Sequence, residues 1–273
     1  MKLSKLGVGT FQFSSAWKKN FSKDQVYYLW DKAFDLGFNY VDLSDSYDFG
    51  AIETLFGNYL YKRKLIKKKI FISTRFGQRF GFDLNSVKKS LKQSLKNLNT
   101  DHIDIYFFHS GSNNQFLNDD LWDYLNIEKK RGVIRNLGLA LKNSYLEKED
   151  NLQIINMVKY NIEYLNVVYN PLFRNVEKYT KFLLKNEVKI IARVPLAKGL
   201  LSGKYDFNKS HLLIDAKKQV TKEIYNKAKL FSAGKKILPL AALNWIQNKK
   251  FIASISVGFT NLEQLYLNSL NLR

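Results

Sequence analysis

Four polar residues of complementary chemistry follow short apolar runs that are typical of β-strands: Asp42, Tyr47, Arg75 and His109. In a barrel of parallel strands, the residues just beyond the carboxyl ends of the strands converge on one face, where the chemistry takes place. A carboxylate, a phenol, a cation and an imidazole on one face could move a proton to or from a carbonyl oxygen. We therefore expect these four side chains to form a proton-transfer site.

The elements that must position this site alternate between short apolar runs and longer amphipathic ones. The pattern predicts strands over residues 5–11, 38–43, 69–74, 102–108, 133–141, 164–169, 188–194 and 251–257. It predicts helices over residues 25–36, 51–61, 84–98, 117–130, 175–184, 237–247 and 261–270, with Ser22 as the N-cap of the first. Parallel strands need crossover connections, which are usually helical. The alternation therefore predicts an α/β fold, a single-domain (β/α)8 TIM barrel over residues 1–273.

A doubly wound open sheet is the alternative architecture for such an alternating pattern. The GxGxxG fingerprint after the first strand would favour it, but GVGT at residues 7–10 is too short to be that motif. Two stretches depart from the pattern. Residues 142–160 predict at most a poorly amphipathic helix, and the Lys-rich residues 204–230 predict a helix only after Ala216. Long insertions on a barrel usually form lids or substrate loops.

The composition is that of a globular protein, because hydrophobic residues make up 45% and charged residues 25% of the 273 residues. The absence of cysteine excludes disulfides and thiolate chemistry. No apolar run approaches the roughly 18 residues that a membrane-spanning helix needs. The first residues lack the apolar segment and cleavage site of a signal peptide. We expect a soluble cytoplasmic protein without a membrane partner.

The formal net charge is +20, with 44 Lys and Arg against 24 Asp and Glu. Such a charge could attract nucleic acid or steer a phosphorylated ligand. However, the basic residues are scattered over predicted helix faces, as at 62–69, 88–92 and 217–222. No zinc-finger spacing, RNP-like motif or KH loop accompanies them. We therefore expect no nucleic-acid partner.

Six segments, in chain order, resemble motifs of the aldo-keto reductase family. They are VDLSDSYDFGAIETLFG (41–57), DHIDIYFFHS (101–110), GVIRNLGLAL (132–141), VVYNPLFR (167–174), PLAKGLLSGKY (195–205) and VGFTNLEQL (257–265). The resemblance implies a (β/α)8 barrel that binds a nicotinamide cofactor without a Rossmann domain. It also implies reversible hydride transfer between that cofactor and a carbonyl, with the protein supplying orientation, a proton and charge stabilisation.

The resemblance also assigns roles to the four residues of the proton-transfer site. Tyr47 matches the proton donor, Asp42 the carboxylate that pairs with a cation, and His109 the imidazole that orients the substrate. A cation near Tyr47 would lower the pKa of the phenol and ease proton donation. For Asp45 and Asp48, capping of the next helix is the expected role. Trp17, after the first strand, is a candidate for contact with the substrate.

Arg75 lies where the family has lysine. Both residues are cations, but the arginine guanidinium is a planar fork with no accessible neutral form, and it reaches its partners differently. A misplacement of about 1 Å at a reacting group can cost roughly a hundredfold in rate. The substitution therefore leaves two alternatives, an active site with a different cation and a site that has kept its shape and lost its activity.

The segments that would hold the cofactor also depart from the family pattern. The family's Ser-Asn pair falls at Ala140 and Leu141, its glutamine at Asn166, its nicotinamide-stacking aromatic at Arg193, and its 2′-phosphate arginine at Thr260. The resemblance implies cofactor contacts from Gly9, Thr10, Asn166, Arg193, Pro195, Leu196, Lys198, Leu200, Gly258, Thr260, Gln264 and Asn268. We expect NADP(H) or NAD(H), with NADP(H) favoured, and no metal.

The leading hypothesis is an NAD(P)H-dependent oxidoreductase that interconverts a carbonyl and an alcohol, with Tyr47 as general acid and base. The substrate would be an aldehyde, a ketone or a sugar-type molecule, and the protein a monomer or small homo-oligomer. One alternative is a non-catalytic nucleotide-binding or regulatory barrel with a degenerate site. Another is a lyase or isomerase that uses Tyr47 and His109 without a cofactor.

Overall fold

Eight parallel strands close into a barrel in which each strand pairs with its neighbours in sequence and the last pairs with the first. The computed structural model describes residues 2–17, 19–63, 70–146, 151–207 and 220–270. The strands are β1 (Leu6–Gly9), β2 (Tyr40–Asp42), β3 (Phe71–Phe76), β4 (Ile103–His109), β5 (Ile134–Ala140), β6 (Ile162–Val168), β7 (Lys189–Arg193) and β8 (Ile252–Val257). The predicted (β/α)8 barrel is confirmed.

Helices connect the strands and cover the outside of the barrel. They are α1 (Lys23–Asp35), α2 (Ala51–Lys62), α3 (Leu84–Leu98), α4 (Asn113–Phe116), α5 (Asp119–Lys130), α6 (Asn143–Leu146), α7 (Leu152–Ile155), α8 (Thr180–Lys185), α9 (Lys222–Ser232), α10 (Leu238–Gln247) and α11 (Leu262–Ser269). The predicted N-cap of α1 is confirmed, because the Ser22 side chain accepts from the Gln25 backbone N–H in a capping box. Within the described residues, none of these helices has both the length and the apolar character needed to cross a membrane.

Four predicted helical segments differ from the observed helices. The helix predicted over 117–130 begins two residues later, as α5, because the Asn118 side chain accepts from the Leu121 N–H and caps its N-terminus. The helix predicted over 175–184 begins as a 3-10 helix, Asn175–Tyr179, before α8. Residues 142–160 contain only the short α6 and α7. The helix predicted after Ala216 begins at Lys222, and residues 147–150 and 208–219 lie outside the described residues.

The barrel interior is filled by large side chains, because alternate residues of each strand point inward. One buried cluster collects inward-facing residues from β2, β4, β5, β6 and β7: Tyr40, Ile105, Phe107, Ala140, Tyr164 and Ile191. Two glycines make room for them. A Cβ at Gly7 would lie 2.2 Å from the Tyr40 ring, and a Cβ at Gly138 would lie 2.2 Å from the Phe107 ring. The interior is therefore a packed core that closes one side of any site above it.

Candidate active site

Polar side chains replace apolar ones where the strands approach their carboxyl ends. Inward-facing positions near the carboxyl ends of six strands carry the residues that we call the polar layer: Asp42, Arg75, His109, Asn166, Arg193 and Ser256. They come from β2, β3, β4, β6, β7 and β8. Because a period of two keeps residues on one face of a strand, these side chains share the barrel mouth.

The centre of the polar layer is a buried ion pair between Arg75 and Asp42. Arg75 Nη2 lies 2.6 Å from each carboxylate oxygen of Asp42, and the two residues are 2% and 4% exposed. Hydroxyls of Ser73 and Ser256 donate to the same carboxylate at 3.3 and 3.0 Å. A buried charge is tolerated only with such partners. Burial opposes the charge of Arg75, but Asp42 and Tyr47 outweigh it and raise the pKa of the guanidinium.

Tyr47 is held by the second terminal nitrogen of the same guanidinium. Arg75 Nη1 donates to Tyr47 Oη at 2.7 Å. Burial raises the pKa of the Tyr47 phenol, and Asp42 adds to this, although Arg75 and Arg193 act in the opposite direction. The phenol is therefore protonated at neutral pH. Within the described part of the chain, no acceptor takes its proton, so Tyr47 can donate that proton to a ligand.

His109 lies at the end of β4, where its imidazole is partly buried. Burial lowers its pKa well below the usual value, and the charges of Arg75, Arg193 and Lys142 act in the same direction. Its Nδ1 atom is buried and has no hydrogen-bond partner among the described residues. A neutral imidazole of this kind carries one N–H, which can donate to a carbonyl oxygen.

Arg193 brings a second guanidinium into the polar layer from the end of β7. Its Nη2 donates to the backbone carbonyl of Leu141 at 2.6 Å. Its Nε is buried and unpaired within the described residues. Burial and the charge of Arg75 lower the pKa of Arg193 to about 10, although Tyr47 and Asp42 act in the opposite direction. The side chain is therefore still a cation at neutral pH.

The residues that the resemblance assigns to the cofactor lie at or after the ends of four strands on one side of the mouth. Gly9 is the last residue of β1 and Thr10 follows it, whereas Asn166 and Arg193 belong to β6 and β7. The loop after β7 carries Pro195, Leu196, Lys198 and Leu200, and the segment after β8 carries Gly258, Thr260, Gln264 and Asn268. The four strand ends are adjacent, because β6, β7, β8 and β1 pair in that order.

One of these side chains, that of Asn166, has a free donor for a nicotinamide dinucleotide. The Nδ2 atom of Asn166 is buried and unpaired in the described structure, and it could donate to a carboxamide oxygen. The Gly258 backbone packs closely against the Gln12 side chain, because a Cβ at this position would lie 2.7 Å from Gln12 Oε1. Thr260 has no free donor, since its N–H and its hydroxyl both bond to Gln264 Oε1, at 2.9 and 3.1 Å. The fit is therefore best at the nicotinamide end.

Phe11, which sequence reasoning missed, connects the mouth to Trp17. Its ring packs edge-on against Tyr47 with centroids 5.3 Å apart and against Trp17 at 6.2 Å. Trp17 is 47% exposed, and its ring packs against Phe11. Ser73 and Ser256 were also missed, although each is a small polar residue that directly follows an isoleucine in its strand. That break in the apolar pattern was the signal that could have identified them.

The capping role predicted for Asp45 and Asp48 is wrong. The N-cap of α2 is Gly50, with φ of +85°, and no side chain caps this helix. The Asp48 carboxylate instead accepts from the backbone N–H and hydroxyl of Ser15, at 2.7 and 2.6 Å. Asp45 accepts from Ser90 in α3 at 2.9 Å. Among the described residues, no group of three or more His, Asp or Glu side chains could hold a metal ion.

Comparison with known proteins identifies a family match and several relatives. The aldo/keto reductase family model matches residues 5–270. The uncharacterised oxidoreductase YqkF of Bacillus subtilis is 26% identical, over 98% of this chain and 87% of its own length. The NADH-specific methylglyoxal reductase of Escherichia coli is 26% identical, over 97% of this chain and 89% of its own length.

A solved structure shows the same fold. The holo form of the aldo-keto reductase AKR11C1 from Bacillus halodurans superposes with a TM-score of 0.80 at 24% identity, covering 98% of this chain and 86% of that one. Because the identity is low, this likeness supports the barrel architecture alone. The family match extends over nearly the whole chain, and the matched relatives include oxidoreductases. The chain therefore belongs to the aldo/keto reductase family.

Proposed function

We propose that this protein reduces the carbonyl group of a small aldehyde, ketone or sugar-type substrate to an alcohol, with NAD(P)H as the reductant. One observation carries the proposal. Tyr47 Oη accepts a hydrogen bond from Arg75 at 2.7 Å and has its own proton available at the barrel mouth. A phenol held in this way can donate its proton to an oxygen that becomes negatively charged.

Tyr47 and the residues of the polar layer would have the following roles in the reaction. A bound nicotinamide cofactor supplies the hydride that the carbonyl carbon receives. The carbonyl oxygen takes the proton of Tyr47, and Arg75 stabilises the phenolate that is left. The neutral imidazole of His109 donates a hydrogen bond to the same oxygen and orients it. Asp42 keeps Arg75 in place.

We propose that the cofactor lies along the ends of β6, β7, β8 and β1. Asn166 would hold the carboxamide through its unpaired Nδ2. The remaining contacts would come from the residues assigned above in the loops after β1, β7 and β8. NADPH and NADH are both candidates. The net charge of +20 favours the additional phosphate of NADPH, whereas Thr260 offers no cation to bind it.

The test follows the oxidation of NADPH and of NADH by the nicotinamide absorbance, across a panel of aldehydes, ketones and sugars. We expect Tyr47→Phe to lower kcat by about 10²- to 10⁴-fold, the usual contribution of a general acid. The cofactor Kd, measured by tryptophan fluorescence, should stay the same. Tyr266→Phe is a matched control, because Tyr266 is 45% exposed on α11. Equal turnover in wild type and Tyr47→Phe would remove Tyr47 from the chemistry.

A second candidate, a non-catalytic nucleotide-binding barrel, is supported by the change to Arg75 and by the absence of side-chain donors at Ala140 and Leu141. Cofactor binding without turnover of any substrate in the panel would favour it. Absence of binding of both cofactors would exclude the oxidoreductase proposal. Conversion of a substrate without cofactor would instead favour a lyase or isomerase.

A further inference from the structure

The charges of the polar layer do not balance. It contains the guanidiniums of Arg75 and Arg193 but only one carboxylate, Asp42. Arg75 Nη2 donates to both oxygens of that carboxylate, at 2.6 Å each. His109 is neutral near pH 7, because its pKa is lowered well below the usual value. One positive charge at the barrel mouth is therefore left without a counter-ion in the described structure.

That charge belongs to Arg193. Within the described residues, Arg193 and Arg79, which lies outside the polar layer, form no ion pair with a carboxylate. Five other arginines do: Arg63, Arg75, Arg131, Arg135 and Arg174. Among the described residues, Arg193 donates a hydrogen bond to the neutral carbonyl of Leu141. Its Nε is buried and unpaired among the described residues. A guanidinium has five N–H donors in a planar fork, so Arg193 has donors for a ligand besides the one that bonds to Leu141.

The surroundings of Arg193 increase the positive potential. Lys142 follows Leu141 directly, is exposed and forms no ion pair within the described residues. Its charge and that of Arg193 both act on His109. A partly buried cation that lacks a counter-ion is costly, and an anion that enters the mouth would relieve that cost. Carboxylate and phosphate oxygens match the planar fork best.

We propose that the carbonyl substrate of this enzyme carries a carboxylate or phosphate group, and that Arg193 binds this group. The inference rests on the proposed carbonyl reduction, because Tyr47 and His109 must hold the reacting oxygen while Arg193 holds the acidic end. It makes Arg193 a specificity-determining residue. The phosphates of the cofactor are the other source of the same anion chemistry, so the experiment must separate the two.

The first measurement is ligand binding by isothermal titration calorimetry with the full chain. Benzoate and inorganic phosphate are the anionic probes, and benzamide is the uncharged analogue of benzoate. We expect Arg193→Gln to weaken benzoate binding at least tenfold and to leave benzamide binding unchanged. Arg131→Gln is the control, because it removes the same charge from an arginine whose side chain is 67% exposed at the end of α5.

The second measurement compares kcat/KM for succinate semialdehyde and for butanal, which differ in the carboxylate. Arg193→Gln should lower kcat/KM for the charged aldehyde about 10- to 100-fold more than for butanal. Equal losses for both aldehydes would overturn the proposal and assign Arg193 to the reacting oxygen. A weaker Kd for NAD(P)H with unchanged benzoate binding would overturn it in favour of the cofactor phosphates.

Two further outcomes separate this inference from the proposed function. Benzoate binding that depends on Arg193, in a protein that reduces none of the aldehydes, would support the anion site and contradict the proposed reduction. Reduction of butanal with no detectable binding of benzoate or phosphate to the wild type would support the reduction and overturn the anion site.

Discussion

At the scale of single residues, Arg75 is the point at which this chain differs most informatively from its family. The resemblance places a lysine there, and a lysine would present one ammonium nitrogen to its partners. Arg75 uses two terminal nitrogens instead, Nη2 for Asp42 and Nη1 for Tyr47. The guanidinium thereby holds the carboxylate and the phenol at fixed positions on either side of it.

The first prediction compares two replacements of Arg75. Arg75→Lys keeps the positive charge beside Asp42 and Tyr47, and we expect it to retain or raise turnover. Arg75→Met leaves Asp42 buried without its counter-ion, and we expect it to lower the free energy of unfolding by about 3–5 kcal/mol and to abolish turnover. Urea unfolding and steady-state kinetics measure the two effects. A stable Arg75→Lys variant without turnover would show that the two-nitrogen geometry is itself required.

At the scale of elements, two buried carboxyl groups hold the connection that carries Tyr47. Glu53 in α2 accepts from Thr74 of β3 at 2.6 Å and from Asn97 of α3 at 3.0 Å. Asp45, in the loop between β2 and α2, accepts from Ser90 of α3. These bonds tie α2 to its neighbours on the barrel wall. Burial raises the pKa of Asp45 to about 7. The negative charge of Glu53 acts in the same direction, whereas the hydrogen bond from Ser90 opposes the rise.

The second prediction follows from that pKa. Because the folded-state pKa of Asp45 exceeds the unfolded value near 3.9, the folded protein binds more protons than the unfolded chain between about pH 4 and pH 7. The free energy of unfolding should therefore fall as pH rises through this window, by up to about 4 kcal/mol from Asp45. Asp45→Asn removes the charge and should flatten this fall.

Urea unfolding at about pH 5 and about pH 8 measures this dependence. Some fall should persist in Asp45→Asn, because burial also raises the pKa of Glu53. Asp123→Asn is the matched control, since Asp123 is exposed on α5. The same pH dependence in wild type and Asp45→Asn would contradict the assignment.

At the scale of the whole molecule, barrel closure depends on small residues opposite large ones. The Phe107 ring occupies the space beside Gly138, on the neighbouring strand. The Tyr40 ring occupies the space beside Gly7 in the same way. Strands of a closed barrel cannot move apart independently, so an added methyl group must displace a ring of the packed interior.

The third prediction tests this packing. Gly138→Ala would place a Cβ 2.2 Å from the Phe107 ring, and we expect it to lower the free energy of unfolding by about 1–3 kcal/mol. Phe107→Leu in the same chain should recover part of that loss, because it removes the ring that the methyl group meets. A double-mutant cycle of urea midpoints measures the coupling. Strictly additive losses would show that the interior accommodates the methyl group elsewhere.

Local signals in the sequence determined the elements of this protein. The helix predicted over 84–98 is observed with the same bounds, because Asp83 caps its N-terminus and Asn99 adopts the left-handed conformation after its C-terminus. The apolar runs likewise identified all eight strands within a few residues. The alternation of strands and helices then predicted the barrel, and the residues at the strand ends predicted where its site lies. These features depend on neighbours in the chain, which the sequence displays directly.

Only the tertiary structure decided which partners the polar residues take. The Asp42 carboxylate accepts hydrogen bonds from the hydroxyls of Ser73 and Ser256. Asp48 accepts from Ser15 and does not cap a helix, and Arg193 donates to the carbonyl of Leu141. Each pair joins positions far apart in the chain, so neither spacing nor composition reveals it. The physical reason is barrel closure, which brings the ends of all eight strands together and sets the charges that face one another at the mouth.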